Sequence, residues 1–178
     1  MPRFGRAFDA RFGPHWPSYV LQSLLASVSV FVVLVTLHRH NLAVAASLAA
    51  TAFTVFAMPG SITASMRNVI GGHLVGLTFG AFFSFFPQET PLAKDAVYAL
   101  AVGAAMFTMT LTNTEHPPAA GTALGVVIAG CTTRIVLGVI VGITLLALIH
   151  RLLKPILRDL VAVKPRDRLN LDDRFERD

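Results

Sequence analysis

The sequence predicts an all-α, polytopic membrane protein of about five to six membrane segments, with helices broken at prolines and glycines. Three observations carry that prediction. Of 178 residues, 54% are hydrophobic and 14% charged, with a mean hydropathy of +0.63, whereas a soluble domain carries about 25% charged residues. Between Ser18 and His150 the only charged residues are Arg39, Arg67, Glu89, Lys94, Asp95, Glu115 and Arg134. Apolar runs of near-spanning length recur, punctuated by Pro59-Gly60 and Pro117-Pro118. Most of the net charge of +5 comes from residues 1–17, with Arg3, Arg6 and Arg11, and from residues beyond His150, which suits the cytoplasmic flanks of membrane helices. The chain has no Gly-rich phosphate loop, zinc-ligand spacing or aromatic-basic ribbon, so nucleic acid is not an expected partner. A single cysteine, Cys131, excludes an internal disulfide.

Residues 1–17 carry Phe4, Phe8 and Phe12 at helical spacing, then Trp16, and suit an amphipathic segment in the headgroup region. Tyr19–Leu37 is the first span, at the length a hydrocarbon core of about 30 Å requires. Ala43-Val44-Ala45 resembles a signal cleavage site, but His38, Arg39 and His40 interrupt the apolar run before it, so cleavage is not expected. His38–Asn41 reads as a tight polar turn, and Leu42–Met58 as a short, Ala-rich second span closed by Pro59-Gly60. Ser61 or Thr63 is placed to cap a third helix running to Phe86. That helix holds Gly72, Gly76 and Gly80, two overlapping small-xxx-small pairs that let backbones approach closely in a bilayer. Pro87–Lys94 reads as a loop, Asp95–Leu111 as a span, and Pro118–Gly130 as an apolar helix too short to cross unaided. Gly121 and Gly125 on that short helix, and Gly138 and Gly142 on the last span, Arg134–Leu153, are further packing glycines. The domain thus covers 18–153, followed by a charged tail, 154–178, expected to be cytoplasmic and partly disordered.

Basic flanks place both ends in the cytoplasm, most naturally at a bacterial inner membrane. Both ends inside requires an even number of crossings, and the full spans make five. Either Pro118–Gly130 crosses with help from its neighbours or one short segment is re-entrant. A weak internal repeat lays Pro59–Gly72 on Pro117–Gly130, with identities at Pro59/Pro117, Val69/Val127, Ile70/Ile128 and Gly72/Gly130. Broken segments at matching places are a sequence pointer to a transporter's midplane site.

The most polar stretch of the apolar region is Thr112–Thr122, which contains His116-Pro117-Pro118-Ala119. With the upstream run Arg67-Asn68-Val69-Ile70-Gly71-Gly72-His73, it resembles the HPP family of small integral membrane proteins, over roughly residues 15 to 153. The resemblance implies a compact helical membrane domain, and members in plastids and cyanobacteria are associated with nitrite transport. No CBS-type regulatory domain follows here, so nucleotide control is not expected.

Two helices are expected to start at Pro-containing breaks, near Ser61 and Pro118. A helix N-terminus presents unpaired N–H groups and about half a positive charge, and so attracts anions. The candidate anion site is therefore Ser61, Thr63, Arg67, Asn68, Thr112, Asn113, His116, Pro117, Pro118 and Thr122. His73 and His116 are the candidates for proton coupling, since histidine titrates near neutrality. A buried Glu115 needs a partner, and Arg67 or Arg134 is the expected one, in a structural ion pair. The expected function is transport of a small inorganic anion, nitrite first, by a self-associating protein in the lipid bilayer. The alternatives are a proton-coupled symporter of another small solute and a non-transporting assembly subunit. His73, His116, Cys131 and Glu115 supply too few ligands, in no recognised spacing, for a metal site, so no metal, cofactor or enzymatic activity is expected.

Overall fold

A computed structural model describes residues 12–36 and 42–161, all of it helix, turn or loop. The helices are α1 (Phe12–Thr36), α2 (Leu42–Ala57), α3 (Met66–Phe83), α4 (Pro91–Leu111), α5 (Pro117–Ala129) and α6 (Thr133–Leu153), with a 3-10 turn at Ile62–Ala64 before α3. Three of them are long and apolar enough to cross a membrane: α1 over Gly13–Val35, α4 and α6. The chain is a helical membrane protein, as its composition predicts.

The six helices alternate in direction. Arg67 at the start of α3 bonds the Thr112 carbonyl at the end of α4, and Gly60 after α2 bonds Asp159 after α6. Tyr19 and Gln22 near the start of α1 bond the carbonyls of Leu160 and Arg158. One face therefore gathers the starts of α1, α3 and α5 and the ends of α2, α4 and α6. Both ends of the described chain lie on it. The alternating helices number six, α5 included.

α5 is the centre of the bundle, packed against α3, α2 and α4. It runs parallel to α3: Gly72 meets His116, Gly76 meets Ala119 and Gly80 meets Ala123. A Cβ on Gly80 would stand 2.7 Å from the Ala123 carbonyl oxygen, and one on Gly76 would collide with that of Ala119. On the other side of α5, a Cβ on Gly125 would come within 2.8 Å of the Val44 amide, and Gly121 packs on Ser47. On α6, Gly142 makes room for Leu48, while Gly138 one turn earlier is half-buried. The small-residue stripes are thus the seams of the bundle, where dispersion contacts between close backbones do the holding. Around them Leu48, Val55 and Phe56 of α2 pack with Val139, Ile143 and Leu146 of α6 in the main core.

Several boundaries differ from the sequence expectation. Ser61 caps only the 3-10 turn, and Ser65 caps α3, accepting from the Asn68 amide; the helix ends at Phe83 rather than Phe86. Three hydroxyl residues in alternation, 61, 63 and 65, all satisfy the capping rule, and the 3-10 turn selects the last. α4 starts four residues earlier than expected, at Pro91, because Thr90 caps it and proline is pre-organised for a first helical turn. α1 begins at Phe12 and kinks at His15 (φ −127°, ψ 16°), two residues before Pro17, whose ring removes a helix hydrogen bond and crowds the preceding turn. The two stretches of the suggested repeat fold differently: Pro59 lies in a turn well before α3, whereas Pro117 opens α5. The tail expected to be irregular from Lys154 is docked as far as Val161, with Leu160 and Val161 amides bonded to the Ala57 carbonyl. The interfacial segment proposed for 1–17 lies outside the described residues up to 11, as do the turn at 38–41 and the tail beyond 161.

Candidate functional site

α5 has only 13 residues, a rod of about 20 Å against a hydrocarbon core of about 30 Å. Its start is also recessed. His116 is level with Gly72, six residues into α3, which is about 9 Å along the helix axis. The turn Thr112–Glu115 fills the step between the two helix starts, with Asn113 in the left-handed region at φ 52°. Left-handed backbone is easiest for Gly and Asn, so a polar residue here serves the turn.

Recession puts His116 in the interior, where its ring is fully buried together with that of His73 on α3, centroids 5.0 Å apart. Burying polar groups at this depth is costly unless each is hydrogen-bonded. All four ring nitrogens are. His116 Nδ1 donates to the Thr63 carbonyl (2.7 Å) and its Nε2 lies 3.1 Å from Thr51 Oγ1. His73 Nε2 is 2.7 Å from the same Thr51 hydroxyl, and its Nδ1 is 2.7 Å from Thr122 Oγ1. Thr122 continues to Ser47 Oγ at 2.6 Å, which also reaches the Pro118 carbonyl at 2.7 Å. The result is one polar thread through three helices and the 3-10 turn, enclosed by apolar packing.

The expected site residues divide between this thread and the rim. His73, His116 and Thr122 are on the thread, and Thr63 and Pro118 join it through their carbonyls, not their side chains. Ser61 bonds the Thr63 hydroxyl (3.0 Å) and takes no part in it. Asn68 is buried and holds the turn by donating to the Glu115 carbonyl (2.9 Å). Arg67 and Thr112 are exposed, and Arg67 donates to the Thr112 carbonyl (2.9 Å). Asn113 and Pro117 are exposed as well.

Two expectations are corrected. Glu115 forms no ion pair with Arg67 or Arg134 among the described residues: it is half-buried in the turn before α5, and Arg134 is exposed at the start of α6, on the opposite face. Nor are there free amides at positions 117–119, the first turn of α5. Pro117 and Pro118 have no N–H, and the Ala119 amide bonds the His116 carbonyl (2.8 Å). What remains there is the helix dipole and the imidazole.

Ser47 and Thr51 on α2 were not anticipated. Their spacing is the signal: four apart, they lie on one face of an otherwise Ala-rich helix. Hydroxyls aligned in this way in a membrane helix are as consistent with bonds to their own backbone as with a site, so the signal is weak without the partner helices.

Two transmembrane proteins of Dictyostelium discoideum are similar to this chain, one 34% identical over 90 residues and the other 36% identical over 78. Those matches take in 51% and 44% of this chain but only 29% and 27% of the relatives, so the chain spans under a third of their length. No solved structure matches. The model of the HPP transmembrane region matches residues 14–160, which is the whole helical bundle and its docked tail. With the recessed His116-Pro117-Pro118 start at the centre of that bundle, the chain belongs to the HPP family of membrane proteins.

Proposed function

We propose that this protein transports a small inorganic anion across the membrane, nitrite being the first candidate, with the site at the recessed start of α5. The observation that carries this reading is the fully buried pair His73 and His116 at the positive end of a short central helix. Ionisable side chains held inside a membrane domain are costly, and mark substrate or proton pathways more often than packing. The dipole of α5 and the His116 ring attract negative charge, and the exposed Arg67 at the rim draws anions toward that end of the bundle. The resemblance to family members associated with nitrite transport supports the choice of ion. Both rings are closed off from water in this arrangement, so passage requires α5 or the turn before it to move. The domain acts as a homo-oligomer with both ends on the cytoplasmic side of an inner membrane. A second reading, a proton-coupled symporter of another small solute, is favoured by the presence of two linked imidazoles.

Purified protein in proteoliposomes, offered nitrite, nitrate and chloride separately, tests this. Uptake of nitrite above that of empty liposomes is expected, with nitrate and chloride slower. No uptake of any of the three would leave the chain as an assembly subunit.

A further inference from the structure

The bonding of the two rings is directional. A carbonyl can only accept, so the proton on His116 is on Nδ1, facing Thr63, and in the neutral ring Nε2 is an acceptor. The donor available to it is the Thr51 hydroxyl. Thr51 has one proton to give, so His73 must donate to it from Nε2, and His73 Nδ1 must accept from Thr122. Thr122 in turn accepts from Ser47. The neutral rings are therefore opposite tautomers: His116 carries hydrogen on Nδ1 and His73 on Nε2. Any other pairing leaves a buried nitrogen unsatisfied.

The same atoms accommodate one extra proton without loss of a bond. If His116 is protonated, its Nε2–H donates to Thr51 Oγ1, and the Thr51 proton turns to the Ser47 carbonyl, 3.1 Å away. If His73 is protonated instead, its Nδ1–H donates to Thr122, Thr122 to Ser47, and Ser47 to the Pro118 carbonyl at 2.7 Å. Each ring thus has a hydroxyl that can rotate and a carbonyl to receive it. The charge can also move: His73 releases its Nε2 proton to Thr51 as Thr51 releases its own to His116 Nε2, leaving His73 neutral with hydrogen on Nδ1.

The pair faces no fixed charge that would favour a second proton. α2 and α5 contain no acidic or basic residue. On α3 the other ionisable group is Arg67, at the rim; on α4, Lys94, Asp95 and Tyr98 lie toward the opposite face. Glu115 is half-buried in the turn, and His150 lies in the last turn of α6. Two imidazolium charges 5.0 Å apart repel strongly in such surroundings.

We infer that His73 and His116 together hold a single proton, that the Thr51 hydroxyl passes it from one ring to the other, and that it accompanies one monovalent anion through the protein. The last clause rests on the anion-transport reading; the first two do not. One proton with one nitrite moves no net charge, so transport should respond to a pH gradient and be indifferent to voltage. Thr51 is a positioning and proton-passing residue; the anion is left to the imidazole and the helix end.

Nitrogen-15 NMR of histidine-labelled protein in lipid bilayers tests the proton site directly, with His73→Asn and His116→Asn assigning the signals. At alkaline pH the two rings should show opposite tautomers, and on acidification one imidazolium per pair should appear before any second. Identical tautomers, or both rings protonating together, would overturn the site. Thr51→Ser should keep the opposite tautomers and Thr51→Val should lose them, with Thr51→Ala in its place if the valine variant does not assemble.

Proteoliposome uptake of nitrite tests the coupling. In wild-type protein an acidic exterior should drive accumulation, unchanged when potassium and valinomycin impose a potential. Thr51→Val should lower gradient-driven uptake by roughly tenfold or more, with Thr51→Ser near wild type. Unaltered gradient drive in Thr51→Val removes Thr51 as the carrier of the proton, and uptake that follows the potential removes the one-to-one coupling. Expected tautomers with no nitrite uptake at all would strike down the transport reading and leave the proton site standing.

Discussion

The contact of α3 with α5 and the flank formed by α1 are built on opposite principles. At the α3–α5 seam, glycines let backbone touch backbone, and the polar atoms between the helices are fully bonded. α1 has only 17% of its spanning window buried and turns Leu24, Val28, Phe31 and Val35 outward. Lipid solvates such side chains as well as protein does, so α1 gains little from specific neighbours. Side chains that lipid cannot serve are concentrated around α5, the shortest α-helix of the bundle.

The sharpest way to break the comparison is at Gly76, where a side chain must enter the Ala119 carbonyl. Gly76→Leu is expected to cost about 3 kcal/mol or more and to abolish monodisperse protein in detergent. A folded Gly76→Leu would mean the seam is looser than the described geometry. Next comes His116→Ala, which should still assemble, because α5 is held by its glycine contacts, but should lower nitrite uptake by roughly tenfold or more. Normal uptake would count against the ring.

On the α1 side the effects shrink. Gln22 is buried on that helix, as are Ser29 and Val33, and it donates to the carbonyls of Phe56 and Arg158 and accepts from the Arg158 amide. Gln22→Ala is expected to cost about 1–3 kcal/mol and to speed proteolysis after Arg158, with transport retained. Gly103 on α4 has nothing within 4 Å of a built Cβ. Gly103→Ala should therefore raise thermal stability by up to about 1 kcal/mol, in contrast to every glycine on the seam. A destabilised Gly103→Ala would point to a second copy of the chain packing there.

Much of this contrast was legible before any coordinates. Prolines 59 and 117 mark real interruptions, the 72/76/80 stripe is a real seam, and His116 is interior as its apolar setting implied. Those are local signals, carried by residue type and helical period. The rest depends on which elements meet. Nothing near Thr51 in sequence reveals two imidazoles 22 and 65 residues away, and periodicity cannot choose among three eligible caps at 61, 63 and 65. The expectation of bare amides at α5 overlooked that two consecutive prolines delete the donors a helix start ordinarily offers. The Glu115 ion pair was assigned on the premise of deep burial, and the recession of α5 leaves Glu115 at the rim instead.

The bonds from Gln22 to Arg158 have one more consequence, for how the protein is made. They join residues 136 apart in sequence, so α1 carries an amide two of whose bonds must wait until Arg158 has been made. Until then its nitrogen has the Phe56 carbonyl on α2, while its oxygen lacks the Arg158 amide. A nascent protein stalled before Arg158 would therefore leave a buried carbonyl oxygen open to strangers, an adhesive spot that the later residues conceal.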